Sequence, residues 1–316
     1  MDEAALSTLI LPHCQKNDFL SVEGQQRSYS QELKKTAIMV SNEIKMHYAS
    51  PGLYERIVQG LEAIGKSPAS VDLDDLAALD EFHLRGPAAT RELIEIEILD
   101  VGADSHVLDV GSGLGGPARR LAKATGCRVT GVDLSEDYCA VGNELTGWLG
   151  LSERVRLEPG DATRLERFAP SSFDAAWSIH VGMNVEDKGS LYASVAHVLK
   201  LGAPFVLFDI LSAGAEEPRY PAPWAATPEQ SFLASADEMS AHLERAGFSI
   251  IEIRDQTSQA LAFLDESIAQ MKSGGGPPPL GLHLVLGPTF KEIIAGARRN
   301  LAEGRLAPTV IYTRKN

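Results

Sequence analysis

The sequence predicts an α/β protein built on a Rossmann-like, doubly wound sheet. Strand-like apolar runs alternate with helical runs between residues 106 and 210, the signature of a parallel sheet with crossover helices. A glycine-rich turn at 107–119 joins an apolar strand directly to a helix. The first hundred residues carry helical spacing with no strand alternation.

The elements follow in order. Residues 1–25 carry little periodic signal. A helix is expected over 30–46, with Leu33, Ile38, Met39 and Ile44 on its apolar face. Pro51 suits the start of the next, which carries Leu53, Ile57, Val58 and Leu61 and ends at Gly65. A short acidic helix is expected at 72–79 and another at 90–99. Strands are expected at 106–110, 128–133, 155–157, 173–179 and 204–210, separated by helices at 117–124, 136–149 and 188–199. Beyond a loop rich in proline and aromatic residues at 213–232 come a helix at 236–246, a strand at 249–254, a helix at 259–271 and a last strand at 309–313. This divides the chain into a helical cover or lid, 1–100, and a catalytic domain, 101–316. Substrate-side insertions fall at 213–232 and 273–300, the second containing an apolar piece at 280–286.

Composition narrows the function. The chain has 316 residues and is 44% hydrophobic and 23% charged, enough to bury a large core. Its 29 basic residues against 43 acidic ones give a net charge of −14, which argues against nucleic acid as a partner. Cys14, Cys127 and Cys139 form no C-x-x-C pair, so neither a disulfide framework nor a metal site is expected. That usage fits a reducing, cytoplasmic setting. The N-terminus lacks the basic start of a targeting peptide, and no apolar run has membrane-spanning length.

The glycine turn fits two templates. Gly111, Gly113 and Gly116 satisfy the G-x-G-x-x-G of a dinucleotide site. Gly111, Gly113 and Gly115, preceded by Asp109, satisfy a D-x-G-x-G-x-G site for S-adenosylmethionine. Of three carboxylates, two favour the second and one suits both. Asp109 stands where a dinucleotide fold places an apolar strand residue, and a buried acid there is costly without a partner. Asp133 ends the second strand, where either ligand would offer ribose hydroxyls. Asp161, in Gly160-Asp161-Ala162 after the third strand, suits an adenine amine.

These motifs (107–116, 131–134, 160–162 and 173–179) resemble the successive motifs of class I S-adenosylmethionine-dependent methyltransferases. The resemblance covers roughly residues 80–316. It is strongest to a small-molecule group that includes ubiquinone/menaquinone C-methyltransferases, sarcosine/dimethylglycine N-methyltransferases and tocopherol-type enzymes. It implies a seven-stranded sheet with the last strand antiparallel, and S-adenosyl-L-methionine as cofactor. It also implies methyl transfer to a small molecule by in-line displacement, leaving S-adenosylhomocysteine. An amine or a quinone-like or phenolic ring is the expected acceptor. The implied cofactor residues are Asp109, Gly111, Ser112, Gly113 and Gly115 around the methionine part, Asp133 and Leu134 at the ribose and adenine, Asp161 and Ala162 at the adenine edge, and Ser178.

His180, after the fourth strand, is the candidate catalytic residue, with positioning favoured over base catalysis because in-line transfer needs alignment above all. Candidate substrate residues are Tyr48, His83, Met183, Asn184, Tyr220, Trp224 and His283. Several have plainer readings. Asp161 suits a turn, Asn184 suits the cap of a helix starting near Glu186, Met183 suits packing, and Arg85 suits either a ligand carboxylate or solvent. The N-terminal helices are expected to close a lid, form a homodimer contact, or both. An NAD(P)-dependent oxidoreductase and a non-catalytic S-adenosylmethionine-binding module are the competing functions.

Overall fold

Apolar strands that end in glycine or aspartate turns feed helices which return over the sheet and bury both of its faces. The computed structural model describes residues 52–214, 216–274 and 278–316. Its strands are β1 (His106–Val110), β2 (Arg128–Asp133), β3 (Val155–Pro159), β4 (Ala175–Ile179), β5 (Pro204–Ser212), β6 (Phe248–Asp255) and β7 (Leu306–Lys315). They form one seven-stranded sheet in the order β3-β2-β1-β4-β5-β7-β6. The first five strands pair in parallel, and β7 runs antiparallel between β5 and β6. This is the predicted sheet. Its strand order reverses between β1 and β4, where open α/β sheets leave a crevice beyond the strand ends.

Three helices precede the sheet: α1 (Leu53–Ala63), α2 (Leu73–Asp80) and α3 (Pro87–Glu95). Asp72 caps α2 by accepting from the backbone of Asp74 and Asp75, and Asp75 returns the bond. Pro87 starts α3, three residues ahead of the predicted 90–99, because a proline at the first position loses no helical bond. The helix expected over 30–46 lies outside the described residues. Crossover helices α4 (Gly116–Thr125), α5 (Glu136–Trp148) and α6 (Lys188–Val198) follow, then α7 (Ala236–Arg245), α8 (Thr257–Ser273), α9 (His283–Leu286) and α10 (Phe290–Ala302).

Strand alternation sends Leu108 into a core shared with Phe173, Leu191 and Val195, and Val107 into one shared with Leu121, Trp177 and Val206. A third cluster joins Met183, Ile210, Trp224, Leu264, Phe290 and Leu301. Helix α10 supplies much of it. Phe290, Ile293, Ile294, Ala297 and Leu301 are all buried and recur at helical spacing. The sequence analysis left 290–302 unassigned because the Gly/Pro-rich stretch before it reads as loop.

Candidate active site

The turn after β1 forms the floor of a cavity of about 990 Å³, including its open mouth. Gly111, Gly113 and Gly115 all hold left-handed backbone, at φ 69°, 51° and 80°. At Gly111 a Cβ would lie 2.3 Å from Cγ2 of Val181, so side-chain-free backbone is required there. Gly116 answers to a different neighbour: its Cβ would meet the Asp80 carbonyl oxygen at 2.4 Å. The third glycine of the dinucleotide template is therefore spent on packing within the protein.

The predicted acids gather on this cavity. Asp109 is buried at its wall, and burial pushes the carboxyl up to about 7. Trp177, its partner across the β1–β4 ladder, pulls the other way. Even so, neither Asp109 Oδ2 nor Trp177 Nε1 makes a hydrogen bond of proper geometry. Asp133 accepts from the Gly113 N–H at 2.8 Å and the Ser135 N–H at 2.9 Å, so it shapes the turn as well as lining the cavity. Burial raises its pKa. Asp161 also lines the cavity, and its Oδ1 accepts from the backbone and hydroxyl of Thr163, forming the turn its position suggested. Ser112, Leu134 and Ala162 also line the wall.

Three buried polar atoms at this wall are without hydrogen-bond partners: Asp109 Oδ2, Ser112 Oγ and His180 Nε2. Buried groups are rarely left so, and a polar ligand would satisfy them. The residues present thus fit an adenosyl cofactor.

A second, apolar cavity of about 740 Å³, including its open mouth, lies beside the first. The two share Phe82, His83 and His180. The imidazoles meet edge to face, centroids 6.0 Å apart, and Phe208 packs against both. His180 holds a positive φ of 56° at the end of β4. Burial and the neighbouring His83 keep its pKa well below the ordinary histidine value. His83 is lowered to about 4 by burial, against the pull of Glu81 and the Gly86 carbonyl. Met183 and Trp224 line the second cavity, Met183 also belonging to the core, as its packing reading had it.

Other expected residues lie elsewhere. Ser178 is buried within β4, one residue before the wall residue Ile179, on the alternate face of the strand and off both cavity walls. Gly115 is off the walls too, packed where its Cβ would meet Leu157 at 2.7 Å. Tyr220 and His283 line neither cavity: Tyr220 packs into the third cluster and His283 against Phe290, while Leu282 and Leu286 hold the wall. Asn184 lines the first cavity, but its Nδ2 donates to the Trp224 carbonyl at 2.7 Å. It does not cap the next helix, since Asp187 does that. Arg85 pairs with Glu92 and Gln256. Tyr48 lies outside the described residues.

The scaffold beneath the site has no signature in the sequence. Lys188 is buried and its Nζ donates to the carbonyls of Gly182, Val185 and Phe232, strapping the loop after His180 to the 213–232 loop. Asp209 lies under that loop, raised to about 7 by burial although Lys188 and the Gly182 and Met183 backbone pull it down. Ahead of β1, Asp80 and Glu81 are bonded by Arg119 and Arg120 of α4. Glu81 accepts from the Thr90 hydroxyl at 2.5 Å, and Thr90 bonds His83 Nε2 at 3.1 Å. No sequence motif announces these partners, which come from separate elements.

The seven-stranded sheet with its antiparallel last strand is the fold of class I Rossmann-like methyltransferases. Residues 107–202 match the family described as methyltransferase domain. The chain is 31% identical over 188 residues to a methyltransferase, GfsG, of Streptomyces halstedii, covering 58% of this chain and 66% of that protein. It is 32% identical over 153 residues to an O-methyltransferase of Penicillium expansum, covering 48% of this chain and about half, 54%, of that protein. Among solved structures, the [4+2]-cyclase SpnF has a TM-score of 0.60 at 22% identity, covering 83% of this chain and 94% of its own; this likeness shows the fold. The hydride-transfer alternative finds no support among these relatives. Among the described residues no helix is long and apolar enough to cross a membrane, and no cluster of three or more His, Cys, Asp or Glu could hold a metal.

Proposed function

We propose that this chain transfers a methyl group from S-adenosylmethionine to a small-molecule acceptor by in-line displacement. One observation carries the reading: a cavity with orphaned buried polar groups opens beside an apolar cavity, and Phe82, His83 and His180 belong to both walls. A donor and an acceptor held in adjoining cavities need little further motion to align. Bound in the first cavity, S-adenosylmethionine supplies the methyl group on a sulfonium. Asp109 and the Gly111–Gly113 backbone then face the methionine part, Asp133 the ribose hydroxyls, Leu134 the adenine face, and Asp161 with Ala162 the adenine edge. Helices α1–α3 serve this domain as a cover and as the candidate homodimer contact. Cys127 and Cys139, both buried and in no disulfide, support a cytoplasmic setting.

The test is titration calorimetry with S-adenosylhomocysteine, followed by incubation with methyl-labelled cofactor and a metabolite extract. Binding and a labelled product are expected. Binding without any labelled product would leave a non-catalytic module, and absence of binding would remove the reading altogether.

A further inference from the structure

The second cavity carries more information than its position. Its wall includes Leu84, Ile210, Phe263, Leu264, Ile294 and Leu306, and among the described residues that line it there is no Asp, Glu, Lys or Arg. The Trp224 indole N–H is already bonded to Ser231 at 2.9 Å. An ammonium or a phosphate entering here would lose its hydration with no opposite charge to meet it, a cost of several kcal/mol. The remaining polar contacts come from His83 and His180, at the end shared with the cofactor cavity.

His83 is held in one tautomer. Its Nε2 lies 3.0 Å from the Gly86 carbonyl oxygen, which can only accept, so Nε2 carries the hydrogen. The same atom meets the Thr90 hydroxyl, whose own hydrogen goes to Glu81. Nδ1 is then the basic nitrogen. A proton taken up there places positive charge on a ring already bonded, through Thr90, to a carboxylate.

Resting on the methyl-transfer reading, we infer that the acceptor is a neutral, apolar molecule with a hydroxyl at the histidine end of the second cavity, and that His83 is the base for that hydroxyl. As the O–H bond breaks, the proton passes to Nδ1 of His83. The oxygen's electron pair forms the new O–CH₃ bond, and the electrons of the broken S–C bond stay on sulfur. The proton is returned to water between turnovers. Thr90 and Glu81 are positioning residues. The charged and titratable groups around His83 are Glu81, Arg120 from α4, and His180 from the end of β4.

Three naphthalene probes test the cavity in calorimetry on the protein loaded with S-adenosylhomocysteine. 2-Naphthol should bind at least about tenfold more tightly than 2-naphthyl phosphate or 2-(aminomethyl)naphthalene. Leu286→Trp, and separately the milder Ala297→Leu, should weaken 2-naphthol about tenfold while leaving S-adenosylhomocysteine affinity within about twofold. Equal binding of a charged probe, or no binding of 2-naphthol to the loaded protein, overturns the acceptor class. Failure to load with S-adenosylhomocysteine instead sinks the methyl-transfer reading. With labelled S-adenosylmethionine, 2-methoxynaphthalene should form. Thr90→Val should lower its kcat at least about tenfold with KM within about threefold, and Thr90→Ser should restore it. Bound 2-naphthol that yields no 2-methoxynaphthalene, or an unchanged kcat in Thr90→Val, overturns His83 as the base.

Discussion

Asp80 Oδ2 and Arg119 Nη2 meet 2.5 Å apart, with both side chains closed off from solvent. Arg119 also donates to the Gly142 carbonyl and the Thr146 hydroxyl, so the end of α2 is tied to α4 and α5 directly behind the cofactor cavity. Removing one partner of such a pair strands the other charge in a low dielectric, at a cost of about 3–5 kcal/mol. Asp80→Ala is expected to lose that much unfolding free energy in urea titrations. A loss below about 1 kcal/mol would mean that the pair does little to hold the cover on the sheet.

Gly111 offers a sharper test of the cradle. A methyl group there meets Val181 at 2.3 Å on backbone at φ 69°, whereas at Gly113 the nearest neighbour is Phe82 at 3.5 Å. Both alanine variants pay for left-handed backbone, roughly 1 kcal/mol. Only Gly111→Ala also collides with the loop that carries His180. S-adenosylhomocysteine affinity should therefore fall at least about tenfold further in Gly111→Ala than in Gly113→Ala, read by calorimetry. Equal losses would show that the contact with Val181 is unimportant.

Much of the cofactor cavity was legible because its chemistry is local. Asp109, Asp133 and Asp161 each stand at a strand's carboxyl end, and parallel pairing brings those ends to one edge. Ser178 lies off the walls, since sequence gives its strand but not which face its parity turns to the cavity. Tyr220 and His283 stand near true wall residues, and position along an irregular loop does not say which side chain turns inward. The Glu81–Thr90–His83 chain was illegible for a further reason. Its register depends on Gly86 and Pro87 starting α3 early, which brings Thr90 back beside His83. The parallel, doubly wound sheet was legible from alternation, whereas its antiparallel last strand was implied only by the family resemblance.

His180 separates alignment from scaffolding. Its φ of 56° is strained for alanine but accessible to asparagine, so His180→Asn is the cleaner variant. Its Nε2 bonds nothing in the protein, and the substitution removes no internal hydrogen bond there. Turnover on the acceptor found in the extract should fall about ten- to a hundredfold, with S-adenosylhomocysteine affinity within about threefold. Turnover at the level of the unaltered protein would take His180 out of the reaction.

Asp109 links the cradle to pH. Its folded pKa, about 7, stands above the ordinary value of 3.8, so the folded protein holds the proton more firmly than the unfolded chain. The stability it contributes is fully present below the unfolded value and is lost as pH rises through the folded one. His83 and His180 work in the opposite sense: their lowered values remove stability as pH falls below the ordinary histidine range. A melt of the unaltered protein mixes these terms. Asp109→Asn isolates one, because asparagine does not ionise. Relative to that variant, the unaltered protein should lose a few kcal/mol between about pH 4 and pH 7 and then level off. Urea titrations of both proteins across that range measure the difference directly. A difference that stays flat would mean that Asp109 is ionised in the fold and paired with a group other than Trp177.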